Sequence, residues 1–232
     1  MKNVTRIFVS TFGAIMALAG IEHGIGEVLQ GNVAPEGIMI LSWPESAFFK
    51  ILSGEPAMTV IPNLLITGIL AILFSLALLI WAALFAQRKH GGFIIVLLST
   101  AMLLAGGGIF PPVFGILIGA VAFKIHSPLN WWRTHLSPGT QHFLVKMWPW
   151  TYTACIVSWF ALLPGIPALE YFFGVESMAV TLAIMFFALS TFLLTILSGF
   201  ARDTQAKADT QTFIQDLGFA EVQRASKKGS LA

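Results

Sequence analysis

Glu22-His23-Gly24-Ile25-Gly26-Glu27 sets two carboxylates and an imidazole inside an otherwise apolar stretch. His23 and Glu27 stand four residues apart, so on a helix they share a face, where imidazole and carboxylate would hydrogen-bond or hold a metal ion together. An ionisable side chain in an apolar helix is costly, and such groups as a rule face the bundle interior or a water-filled cavity. The chemistry open to the cluster is therefore a proton relay, a cation site or a metal site. The plainer alternative has Glu27 reaching lipid headgroups while Glu22 and His23 only hold the bundle together. A four-ligand metal site would need partners such as Glu36, Glu45 or Glu55, because His90, His126, His135 and His142 all fall in segments expected at the other membrane face. The one cysteine, Cys155, excludes an internal disulfide and a four-cysteine metal site, and its apolar neighbours suit an inert packing thiol.

A second candidate is the broken-helix turn Gly106-Gly107-Gly108-Ile109-Phe110-Pro111-Pro112. It interrupts a run from Phe93 to Phe123 that contains no charged residue. As one helix that run would measure roughly 46 Å, against a hydrocarbon core of about 30 Å. Glycine costs backbone entropy in a helix, and proline lacks the N–H donor and clashes with the preceding turn, so Gly106, Gly107, Gly108, Pro111 and Pro112 predict a hairpin of two short spans. Broken helices coordinate ions in many transporters; a tight hairpin turn is the simpler use of the same residues.

The elements that must position these groups are set by composition. Of the 232 residues 56% are hydrophobic and only 10% charged, with a mean hydropathy of +0.82, whereas a soluble domain carries about 25% charged residues. The expected class is all-α, a polytopic helical bundle in a membrane, with residues 1–202 forming the bundle and 203–232 a polar cytoplasmic tail of weakly amphipathic character through Phe213, Ile214, Leu217 and Phe219. Spans are expected at about 4–29, 64–85, 93–105, 109–123, 147–163 and 178–200. The fifth would end near Pro164 and Pro167. The first could also be read as a secretory signal, with Lys2 and Arg6 ahead of an apolar run and Ala17-Leu18-Ala19 resembling a cleavage site. The apolar pattern continuing through Ile21, Ile25, Val28 and Leu29 favours a full span. Gly13, Ala17, Gly20 and Gly24 recur on one side of it, a stripe that lets another helix approach closely.

Between the first two spans, Ser42-Trp43-Pro44-Glu45 has the form of a capping box, with Ala47, Phe48, Ile51 and Leu52 following on one helical face and Gly54 able to end the helix. An interfacial amphipathic helix is expected within the outer loop 31–61. Trp131, Trp132, Trp148 and Trp150 suit the aromatic belt at a membrane surface. Thr191, Thr195 and Ser198 lie along one face of the last span, as Asn63 and Thr67 do at the start of the second, and suit contacts between helices.

Six spans with both termini cytoplasmic put every Lys and Arg except Lys50 inside, whereas five spans would place the 124–146 loop and the basic tail outside. The functional expectation is a small transporter or ion-coupled permease of the cell membrane with an outward-facing Glu/His cluster. The alternatives are a membrane-embedded enzyme or redox protein using His23, and a non-catalytic assembly subunit. No motif names a cofactor. The partners expected are the lipid bilayer and either a second copy of the chain or a membrane subunit; no basic cluster suits nucleic acid.

Overall fold

The computed structural model describes residues 3–229, with the side chains of all of these except 130, 133, 211 and 213–229. Lys2, and the side chains of Arg133, Phe213, Ile214, Leu217, Phe219, Arg224, Lys227 and Lys228 that entered the charge and tail patterns, lie outside the described residues.

The fold is mostly helical, and among the described residues four helical segments are long and apolar enough to cross a membrane: Val4–Gln30, Leu64–Phe85, Pro138–Phe173 and Met178–Thr210. Two shorter apolar helices, α3 (Gly91–Leu104) and α4 (Phe110–Ala122), form the hairpin expected around the glycines. The bundle is organised around α1 (Val4–Gln30), which packs against α2 (Leu64–Ile80), α4 and α8 (Met178–Gly229). The small-residue stripe explains the closest of these contacts. Gly13 lies against Ala82, Gly20 against Ser75 and Met102, and Gly24 against the backbone of Gly68, so that the two helix backbones touch. Any side chain at Gly24 or Gly68 would collide with the opposing main chain.

Contacts between distant segments gather at two ends of the bundle. At one end Asn3 Nδ2 donates to the Ile125 carbonyl, His126 Nε2 meets the Gln87 carbonyl at 2.6 Å, and Lys207 Nζ donates to the Ser127 carbonyl. At the other end lie the α3–α4 turn, the segment from Gly31 to Asn63, and the junction of α7 (Ile166–Phe173) with α8, where Phe48 packs on Tyr171 and Lys50 pairs with Glu176. Midway, Phe8, Phe12, Phe114, Trp159 and Phe192 interlock with ring centroids 4.6–6.4 Å apart, joining α1, α4, α6 (Pro138–Phe160) and α8. A hydroxyl seam runs between α6 and α8: Thr151 meets Ser198 at 3.0 Å and Ser158 meets Thr191 at 3.1 Å, with Cys155 buried between them.

Several expectations are corrected. The capping-box segment does not start an α-helix; residues 31–63 instead form a strap with a two-stranded antiparallel ribbon, β1 (Met39–Leu41) paired with β2 (Pro56–Met58), and a single 3-10 turn at Lys50–Leu52. The Ser42 hydroxyl that would have capped a helix is engaged by α1 instead. The 124–146 segment expected as a loop is partly helical, since Ser137-Pro138-Gly139 begins α6: the Ser137 hydroxyl accepts from the Thr140 N–H, and proline in the first turn has no N–H to waste. Pro164 and Pro167 do not end that pass. A π-helical turn at Ala161–Gly165 absorbs Pro164, and α7 carries on to Phe173. Trp148 belongs to no surface belt, since it is buried and stacked on Tyr152 beneath Arg202, whereas Trp150 is exposed.

Helix α8 continues past Arg202 without a break, and Asp203 and Thr204 are buried in the bundle. Asp203 accepts from the N–H groups of Val4 and Thr5 and from the Thr5 hydroxyl at 2.6 Å, so a carboxylate of the last helix caps the first.

Candidate functional site

The last turns of α1 carry Glu22, His23 and Glu27 to the end of the bundle where the strap and the α3–α4 turn converge. His23 and Glu27 are buried, and Glu27 has no exposure to solvent at all. That removes the reading in which Glu27 reaches outward to headgroups. His23 Nδ1 meets the Ser42 hydroxyl at 2.9 Å, and that hydroxyl lies 3.3 Å from Glu27 Oε1, so one serine joins the two residues that helical spacing put on a common face. The other imidazole nitrogen, Nε2, faces Glu55 Oε2 at 3.3 Å.

Glu55 is delivered by unusual backbone. Ser53, Gly54 and Glu55 take φ values of 54°, 74° and 55° in succession, and a non-glycine residue in that left-handed region costs roughly 1–2 kcal/mol. The ribbon holds the conformation: the Ser42 N–H donates to the Glu55 carbonyl and the Trp43 N–H to the Gly54 carbonyl, at 3.0 and 2.9 Å. Burial pushes the Glu55 carboxyl above the usual carboxylate range, opposed in part by a hydrogen bond with Glu22. A hydrogen bond between two carboxyl groups requires that one of them carry a proton. Glu22 Oε1 and Glu27 Oε2 are buried without a hydrogen-bond partner among the described residues.

The glycine turn packs directly on these groups. A Cβ on Gly108 would stand 2.5 Å from His23 Nε2, and one on Gly106 would run into the Glu27 carboxylate and Thr67. Both glycines also have positive φ, 83° and 90°, so any other residue there would be strained as well as crowded. The turn is tied to the strap by the Gly106 N–H donating to the Met58 carbonyl and the Val60 N–H to the Leu104 carbonyl, and Thr59 Oγ1 meets Thr67 Oγ1 at 2.9 Å. Gly107 instead lies against Met102, and Pro111 and Pro112 occupy the first turn of α4, as their missing N–H groups allow. The two candidates read separately in the sequence are thus one site. Ser42 is its unforeseen member, and of the three outer-loop acids expected as possible partners Glu55 is the one that joins it. Glu36 and Glu45 do not join it, being exposed. What sets Glu55 apart from Glu36 and Glu45 in the sequence is its place between Gly54 and Pro56, two residues that dictate backbone shape.

Beside the cluster lies a cavity of about 530 Å³ with Glu22, His23 and Glu55 at its polar end. Apart from Thr181 of α8, the rest of its wall is apolar and aromatic, from α1, α4, α6 with its π-turn, α8 and the strap. Leu18 of α1, Phe110 of α4 and Phe160 of α6 line it and are each more than half exposed, so the cavity is open between those helices. Ligand atoms of Glu22, His23 and Glu55 lie within 4.8 Å of one another; ligands closed on a zinc ion stand roughly 3.4 Å apart, so holding a metal would mean drawing the set together to that spacing.

Scanned against family models, curated proteins and solved structures, the chain matches none. What the fold defines is a helical protein with the spans of an integral membrane protein and a buried acid and imidazole site at one end.

Proposed function

We propose that the protein is a small ion-coupled permease of the cell membrane, with six spans, both termini in the cytoplasm, and the Glu22, His23, Glu27 and Glu55 cluster facing outward. The observation that carries this reading is a charge imbalance. Three carboxyl groups gather around one imidazole, and among the described residues no Lys or Arg is paired with any of them. Buried carboxylates without a basic partner must take up protons or a cation. Occupation by one opposes occupation by the other, which is the competition that ion coupling needs. The sidedness is supported by the distribution of Lys and Arg, and the cavity provides room for cargo next to the exchange site.

Proteoliposomes loaded with a pH-sensitive dye test this. Addition of sodium, potassium or benzyltrimethylammonium outside is expected to drive protein-dependent proton efflux for at least one of them, lost in Glu22→Gln and His23→Ala. If the wild type moves no more protons than empty liposomes, and the variants lose only thermal stability, the cluster is structural and the permease reading fails. The second reading is a membrane-embedded enzyme with a metal ion on Glu22, His23 and Glu55, favoured by the mixed nitrogen and oxygen donors of that triad.

A further inference from the structure

The cavity and the cluster share three residues, and their chemistry is opposed. At one end stand two carboxyl groups and an imidazole; apart from Thr181 and the indole N–H of Trp159, the rest of the wall is hydrocarbon and aromatic ring. Its volume of about 530 Å³ is in the range of small-molecule sites. A small hydrated ion would fill the polar end and leave the apolar remainder without a partner. A neutral hydrocarbon would fill the remainder and leave the buried carboxyl oxygen of Glu22 unmet. An anion would meet two acidic groups.

We propose that the cavity binds a lipophilic organic cation, its positive head among Glu22, His23 and Glu55 and its apolar body against Phe114 and Trp159, entering between the helices past Leu18, Phe110 and Phe160. Aromatic faces add cation–π attraction to the carboxylates' pull. An opening between helices suits a ligand that is already dissolved in the bilayer. This inference rests on the reading that the cluster takes up cations, and it names the class of cargo.

Tetraphenylphosphonium and tetraphenylborate have the same shape and opposite charge, so equilibrium dialysis of the purified full chain separates charge from size. Saturable binding of one tetraphenylphosphonium per chain is expected, with tetraphenylborate failing to compete. Glu22→Gln and Glu55→Gln should each weaken binding at least tenfold, and Ala19→Phe, which fills the cavity from α1, should abolish it. Melting temperatures establish which variants are folded, and the two glutamine variants keep the test decisive if Ala19→Phe does not fold. Equal binding of both probes, or glutamine variants that bind like the wild type, would overturn the proposal in favour of an unselective apolar hole. Zinc binding that requires His23, with no binding of tetraphenylphosphonium, would overturn it in favour of a metal centre. Tetraphenylphosphonium binding without ion flux in proteoliposomes would remove the permease and leave the cation site. Flux of a small cation without tetraphenylphosphonium binding would do the reverse.

Discussion

Glu55 enters the cluster on left-handed backbone, and the ribbon hydrogen bonds around Ser42 and Trp43 hold it there against that cost. The sign of its pH dependence follows from burial. An acid whose pKa is raised by folding contributes its full stabilisation below the ordinary carboxylate value of 4.5, and that contribution is lost as pH rises through the raised value. The melting temperature of the detergent-solubilised protein is therefore expected to decline as pH is raised from about 5 towards alkaline values. Glu22, His23 and Glu27 of α1 belong to the same buried cluster, so Glu55→Gln should make the decline shallower rather than abolish it. Identical slopes for the wild type and the variant would contradict this account. Sequence spacing alone placed Glu22, His23 and Glu27 together. Ser42 and Glu55 were not legible in the same way, because the strap reaches the cluster through ribbon pairing and positive φ rather than through a periodic pattern.

Among the elements, α1 is held at both ends by groups from distant parts of the chain. Its first turn has no acidic residue of its own, and Asp203 of α8 supplies the missing acceptor to two backbone N–H groups and a hydroxyl. Replacing an N-capping acceptor by alanine costs about 0.5–2 kcal/mol, and here the hydroxyl of Thr5 would lose its partner too. Asp203→Ala should lower the melting temperature by several degrees, while exposed Asp209→Ala, further along α8, should leave it within error. Equal effects would mean that the cap contributes nothing. Helix existence was readable from hydropathy, and the α3–α4 hairpin from glycine and proline. The expected interfacial helix failed because a local capping pattern competes with tertiary partners: Ser42 satisfies a buried imidazole and a carboxylate rather than a helix terminus. The expected stop at Pro164 failed for a different reason, namely that a π-turn can absorb a proline that an α-turn cannot.

For the whole molecule, the packing of the helices brings the glycine turn and the strap to one end, and residues 125–127, the start of α1 and Asp203 to the other. On the proposed orientation, an alkaline phosphatase fusion near Gly108 should be active and one near Ser137 silent. The opposite pattern would invert the map and turn the cluster towards the cytoplasm. Hydropathy was enough to expect apolar helices of membrane-spanning length, because it is a one-dimensional property of the chain. The cavity was not foreseeable, since its wall is assembled from four helices and the strap at positions that share no sequence signature.

The bare contact between Gly24 and Gly68 leaves α1 and α2 no slack to slide or tilt against each other. If the mouth widens to admit cargo, that pair serves as the stationary post, and since Asp203 pins α8 to the main chain of the first turn of α1, any widening falls at the opposite end of the bundle.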